Sequence, residues 1–436
     1  MSATPAHKAT RLLAPLYNWG WKAVVPFLGR NKRLRQGLEQ RTLRTPLPRA
    51  DVWMQAASAG EAYLAVRICQ ELNALSSEGG ASLSVLLTTY TSQGHDILQA
   101  ATDDGTISAR IAYCPFDAPS LMKKALEQAR PKVVVLLETE LWPGLLMACR
   151  EQQTPVLVAN GRMSSRSFSH YLAFSGLLNS MGPQRILAMS PDDAARFQLV
   201  FPGARTEAMP NIKFDNIAEV AARPAPDYTD NPVADAIAPK APFVVFGSVR
   251  REEVGPVTQA VEELLQHRPR TIIGLFPRHM HHVPVWCAAL ERMGIKYDLR
   301  SKLDGRAPQG GVVVWDAFGE LGAAYHLARA AFVGGSLASL GGQNFLEPLG
   351  AGLIPVTGPH WRNFAWVGRE IVDQGLLIEA PTPDAVAEAL AAQLSPRRKK
   401  SAVRKDFTTY IAARRGGAAQ VAQTICQMAA ASSRPA

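Results

Sequence analysis

The sequence predicts an α/β chain built from two doubly wound, parallel-sheet domains, and three observations carry that expectation. Short apolar runs alternate with amphipathic segments from Val52 onward, a Pro-, Ala- and Asp-rich stretch interrupts the pattern near residue 221, and the same alternation then restarts. A chain of 436 residues with 47% hydrophobic side chains has material for two or three cores.

In chain order, the first half offers "VWMQA", "LSVLLTT", "RIAYC", "KVVVLLET", "PVLVAN" and "RILAMS". Runs of this length, separated by helical patterns, read as buried strands with crossover helices. The stretch "EVAARPAPDYTDNPVADAIAPKAP" has little periodicity and reads as a linker. Beyond it come "FVVFGS", "TIIGLFP", "VVVWD", "AAFVGGS" and "LIPVTG", a second parallel sheet. The expected organisation is an N-terminal arm over 1–50, a first domain over 51–220, a linker over 221–241, a second domain over 242–405, and a C-terminal helix and tail over 406–436. Ligands of such sheets bind beside the carboxyl ends of the strands, so the loops that follow the strands are where chemistry is sought.

The net charge of +10 suits an anionic partner, which charge alone leaves open among nucleic acid, an acidic membrane surface and a phosphorylated substrate. Five scattered cysteines without C-x-x-C spacing point to neither a disulfide framework nor a zinc site, and fit a reducing compartment. The stretch "LLAPLYNWGWKAVVPFLG" is interrupted by Pro15, Asn18, Lys22 and Pro26, which makes it a poor spanning helix, and it lacks the cleavage site of a secretory signal. Its aromatics run into the basic "RNKRLRQGLEQR". That combination suits either an arm lying on an anionic bilayer or one packed on the domain.

After the first strand, "QAASAGEAYLAVRICQELN" places Glu61 at the start of a helix whose apolar stripe is Leu64, Ala65, Ile68 and Leu72. Ser58 and Glu61 have capping-box spacing, so Glu61 is either a cap returning a hydrogen bond to the Ser58 backbone or a general base facing a substrate. In "ETELWPGLL", Glu138 and Glu140 lie two apart and would share one side of an extended segment, as a substrate-positioning pair or a structural ion pair. Lys213 in "NIKFDN" and Arg278 and His279 in "FPRHMHH" are cations suited to phosphate. No D-x-D motif accompanies His279, His281 and His282, and no metal is expected. Gly334-Gly335 and Gly341-Gly342 suggest backbone N–H groups open to a phosphate, with Asn344 and Glu347 following as ribose partners.

Taken in order, "SAGE", "TTYTSQG", "YCPFD", "ETELWP", "NGRMSSRS", "NIKFD", "PRH", "GELGAAYHLA", "FVGGSL", "GGQNFLEP" and "GPHWRNF" resemble the 3-deoxy-D-manno-octulosonic acid (Kdo) transferases of lipopolysaccharide synthesis, from about Trp53 to Phe364. The resemblance implies the GT-B fold, two Rossmann-like domains facing across a cleft, with acceptor in the N-terminal half and nucleotide in the C-terminal half. It implies inverting transfer of Kdo from CMP-Kdo to a lipid A precursor, without metal or cofactor and with no nucleic acid partner, by a peripheral protein on the cytoplasmic face of the inner membrane. The catalytic base then falls on Glu61 and a second acidic position on Glu138 or Glu140. The donor's phosphate and carboxylate fall to Lys213 and Arg278, and nucleotide contacts to Pro277, Arg278, His279, Phe318, Gly319, Glu320, Leu321, Asn344 and Glu347. The chain departs from the family's usual pattern at Gly144, Gln343 and "VRREE", Val249 to Glu253. The alternatives are a GT-B paralogue with another activated acid sugar or acceptor, and a nucleotide- or lipid-binding protein without catalysis.

Overall fold

The computed structural model describes residues 5–80, 82–222, 227–395 and 398–432. Two compact units divide the chain, one formed by Met1–Asn216 with Arg414–Ala436 and the other by Ile217–Ala413.

Each unit holds a seven-stranded parallel sheet. In the first, β1 (Val52–Gln55), β2 (Val85–Thr89), β3 (Arg110–Tyr113), β4 (Val133–Leu137), β5 (Val156–Gly161), β6 (Arg185–Ala188) and β7 (Arg205–Ala208) lie in the order β3-β2-β1-β4-β5-β6-β7. In the second, β8 (Phe243–Val249), β9 (Ile272–Pro277), β10 (Tyr297–Leu299), β11 (Val312–Val314), β12 (Ala330–Val333), β13 (Val356–Thr357) and β14 (Ile378–Glu379) are ordered β10-β11-β9-β8-β12-β13-β14. Order reverses beside β1 and again beside β8, the switch points at which doubly wound sheets open for ligands. The central strands are buried on both faces, as their unbroken Val and Leu runs require. Trp53, Leu86, Val134 and Val158 pack into one core layer of the first sheet, and Met54, Leu87, Val133 and Val135 into the other.

The segment read as a C-terminal helix and tail is divided between the units. Helix Lys400–Ala412 belongs to the second, while helix Gly417–Ser432 returns to the first, burying Val421, Ala422 and Ile425 beside Leu64 and Ile68. Asp215 fixes its start by accepting from the Gly416 and Ala418 amides at 2.7 and 2.9 Å. The stretch read as a linker is partly core. Val233, Ala236 and Ile237 pack against Phe243, Trp315 and Tyr325 of the second unit, while 223–226 lie outside the described residues.

Residues Pro5–Leu28 form one helix through Pro15 and Pro26. Its inner side is anchored on the first unit, where the Tyr17 hydroxyl donates to Asp117 at 2.8 Å, the Ser120 amide donates to Asn18 at 3.1 Å, and Trp21 stacks on Phe116. Leu16, Trp19, Val24 and Phe27 remain exposed. Among the described residues, no helix is long and apolar enough to cross a membrane. Of the basic stretch that follows, Arg41 is not a surface charge. It is fully buried, donates to the Gln36 and Tyr90 carbonyls and lies over the Tyr113 ring.

Candidate active site

Glu61 begins where β1 turns into helix Ala59–Ser77. Ser58 caps that helix, its Oγ accepting from the Glu61 amide at 3.4 Å. The reciprocal half of the expected capping box is displaced by one residue. The Glu61 carboxylate accepts from the Ala57 amide at 2.7 Å and the Ser58 hydroxyl at 2.9 Å, rather than from the Ser58 amide. Only 7% of Glu61 is exposed, and its pKa is pushed up to about 7, first by burial and then by the charge of Glu140, against the pull of those two hydrogen bonds. A carboxylate in this state exchanges its proton near neutrality, the range in which a general base works best.

Glu138 and Glu140 do not share one side of an extended segment. Glu138 follows β4 in a left-handed conformation, φ 52°, and the chain turns there. Its carboxylate pairs with the Lys213 ammonium at 2.8 Å, whereas Glu140 accepts from the Trp142 indole. The turn thus gives the pair separate partners. Burial raises the pKa of Glu140 as well, with the charge of Glu138 adding to it.

Four buried polar residues near these loops escaped the sequence reading. Asp117 is fully buried and accepts from the Gly144 and Leu145 amides, both at 2.8 Å, as well as from Tyr17. Burial pushes its pKa to about 6 even so. Gly144, where the family pattern is broken, is demanded by this packing, since a Cβ there would meet the Asp117 carbonyl oxygen at 2.0 Å. Gln55 ends β1 with neither side-chain polar atom bonded among the described residues, and Asn160 and Asn211 each leave a buried amide nitrogen without an acceptor. Asn160 spends its oxygen on the Ile212 amide at 3.1 Å, which fixes the loop that carries Lys213. The signal for Asn160 and Asn211 was present in "NGR" and "NIKF", where a polar amide follows an apolar run.

In the second unit, Pro277 closes β9, and Arg278 and His279 follow it, both exposed, with the Arg278 amide tied to the Val249 carbonyl at 2.9 Å. Asn344 donates to Glu347 at 2.8 Å. Burial raises the Glu347 pKa, and the Asn344 hydrogen bond and then the charge of Arg278 oppose the rise. Phe318 is 79% exposed and Gly319 adopts φ 86° in the turn before helix Leu321–Leu327. Glu320 in the same turn is already engaged, accepting from the Trp315 indole at 2.6 Å and from Arg300 at 3.0 Å.

The glycine loop corrects one expectation. The amides of Gly334, Gly335 and Gly342 are already taken by the protein itself. Those of Gly335, Ser336 and Leu337 all donate to the carboxylate of Glu253, and those of Gly334 and Gln343 donate to the Gly247 and Gly334 carbonyls. Glu253 is fully buried and also receives the Arg250 amide. The departure at "VRREE" therefore contains the carboxylate that organises the loop. Gly334 permits the approach, because a Cβ there would lie 2.5 Å from the Val249 Cα.

With this geometry established, comparison with known proteins is specific. The family profile described as 3-deoxy-D-manno-octulosonic-acid transferase (kdotransferase) matches residues 30–216. A 3-deoxy-D-manno-octulosonic acid transferase of Bordetella pertussis is 30% identical over 94% of this chain and 95% of its own. Its counterpart from Haemophilus influenzae is 28% identical over 86% and 88%. Among solved structures, a glycosyltransferase from Rickettsia africae superposes with a TM-score of 0.57 at 8% identity, covering 88% of this chain and 99% of that one. An Anabaena protein solved with UDP and glucose gives 0.51 at 13% identity, covering 87% and 99%. At such identities the likeness is one of fold, the GT-B fold of two Rossmann-like domains.

Proposed function

This chain belongs to the 3-deoxy-D-manno-octulosonic acid transferase family, and from that premise we propose that it transfers Kdo from CMP-Kdo to a lipid A precursor, with inversion and without metal. Glu61 is the observation that carries the reading: a buried carboxylate at the mouth of β1, held by two hydrogen bonds and poised to gain a proton near neutrality.

In the proposed reaction Glu61 takes the proton of an acceptor hydroxyl, whose oxygen bonds to the anomeric carbon of Kdo. The bond from that carbon to the phosphate oxygen breaks, and CMP departs with the electron pair. Arg278, beside Glu347 and Asn344, answers the charge of the donor. Lys213 is held by Glu138, so the pair serves as a unit that presents a cation to the acid sugar without leaving Glu138 as an unpaired charge beside Glu61. The Glu253 knot leaves Arg278 with more of the donor charge than an open glycine loop would. Exposed Leu16, Trp19 and Phe27 on the N-terminal helix support docking at a membrane surface, here proposed as the cytoplasmic face of the inner membrane, where a glycolipid acceptor resides.

The test is mass-detected transfer from CMP-Kdo to a lipid A precursor, with and without a chelator. The expected result is a Kdo mass increment matched by CMP release, unchanged by chelation, and strongly weakened use of CMP-Kdo by Arg278→Ala. Turnover of UDP- or GDP-sugars in place of CMP-Kdo, or no turnover at all, would overturn it.

A further inference from the structure

A cavity of about 970 Å³ lies in the second unit, lined by Arg329, Leu353, Ile354, Gln393, Lys399 and Lys400 among others. Its place in the fold separates it from the groups already described. Arg329 immediately precedes β12, Leu353 and Ile354 precede β13, and Ile378 opens β14, so the cavity sits at the amino ends of these parallel strands. The glycine loop leaves the carboxyl end of β12, at the opposite end of the strand.

Its chemistry is one-sided. The Lys400 ammonium donates to the His326 carbonyl at 2.8 Å and the Arg329 guanidinium to the Lys240 carbonyl, and no carboxylate pairs with Arg329, Lys399 or Lys400 among the described residues. Arg398, also in the lining, is answered by Asp406. Burial first, and the charge of Arg329 second, lower the Lys400 pKa to about 8, the signature of cations gathered without a counter-charge. Gln393 adds a buried amide nitrogen with no acceptor among the described residues. These donors ask for an anion with several oxygens, as a phosphate has. Leu353, Ile354 and Ile378 then form an apolar floor that a bare anion would leave unused.

We propose that this cavity is a second site, for a phospholipid with a phosphomonoester head, its phosphate on Arg329, Lys399 and Lys400 and its acyl portion over Leu353, Ile354 and Ile378. The inference is independent of the transfer reading. Calorimetric titration of the full-length protein tests it, with dihexanoyl phosphatidic acid below its micelle concentration as probe, and dihexanoyl phosphatidylcholine and inorganic phosphate as comparisons. Phosphatidic acid is expected to bind at least about tenfold more tightly than either, from charge-assisted contacts to phosphate together with apolar burial. Lys399→Glu, a change at an exposed side chain, is expected to weaken it by about tenfold or more, and Arg329→Gln similarly, with an unchanged thermal unfolding midpoint as the control for folding. Equal binding of inorganic phosphate would reduce the cavity to a free-anion site and overturn the lipid. Equal binding of phosphatidylcholine, or an unchanged affinity in Lys399→Glu, would overturn the phosphate contact.

Discussion

Glu61 and Glu253 occupy matching positions in the two units, each following the first strand of its sheet at the start of helical structure, yet their surroundings differ. Glu253 is fully enclosed and accepts four backbone amides, from Arg250, Gly335, Ser336 and Leu337. Glu61 accepts one backbone amide and one hydroxyl, with Glu140 near enough to repel its charge. The count of amides separates the roles. Four donors answer the charge of Glu253 and bind a loop to it, while two leave Glu61 undersatisfied and able to exchange a proton.

The comparison can be broken most sharply at Glu61. Glu61→Gln should keep the shape of the turn while removing the base, and transfer should fall by roughly 10²- to 10⁴-fold with CMP binding retained. Steady-state kinetics alongside CMP titration checks this. At Glu253 the effect should move to stability. Glu253→Ala strands several buried amide donors, and should destabilise the second unit by roughly 3 kcal/mol or more, read from denaturant unfolding. If Glu253→Ala unfolds like the parent protein, the knot is not what holds the glycine loop.

Smaller effects sharpen the account of Glu61. Glu140→Gln removes a repulsive charge, so the acid limb of the rate profile should shift to lower pH, and an unmoved limb would show that Glu140 does not act on the base. The Glu61 carboxyl also has a linkage consequence. Its folded pKa of about 7 lies above its ordinary 4.5, so the folded state holds the proton longer. The resulting stability is fully present below the ordinary value and is lost as pH rises through about 7. Glu61→Gln should flatten that slope in unfolding measurements between these pH values. The smallest effect is expected from Tyr17→Phe, which removes one of three hydrogen bonds to Asp117 and should cost about 1 kcal/mol, with faster proteolysis of the N-terminal helix.

Much of the fold was legible because parallel strands buried on both faces must be continuous apolar runs, as "KVVVLLET" and "FVVFGS" are. What escaped were edge strands. β7, "RTEA", and β10, "YDL", sit at sheet margins with side chains partly exposed, so no apolar pattern marks them. Glu61 was legible as a candidate because its cap partner is three residues away, a local spacing. Asp117 and Glu253 were not, because their roles arise from contacts across 27 to 100 and 82 to 84 residues. The glycine pairs were legible as a loop of close approach, but the Gly335 amide is taken by a carboxylate of the same chain, and Gly341 and Gly342 lie against Asn363 and Trp361.

The central claim is that a proton held by Glu61 near neutrality governs transfer. The direct measurement is single-turnover transfer from CMP-Kdo to a lipid A precursor as a function of pH, in the parent protein and in Glu61→Gln. The parent rate should climb to a plateau with an apparent pKa near 7, and the variant should be slow at every pH with no limb there. A variant that retained the parent's rate and its limb would contradict the assignment of Glu61 as the base.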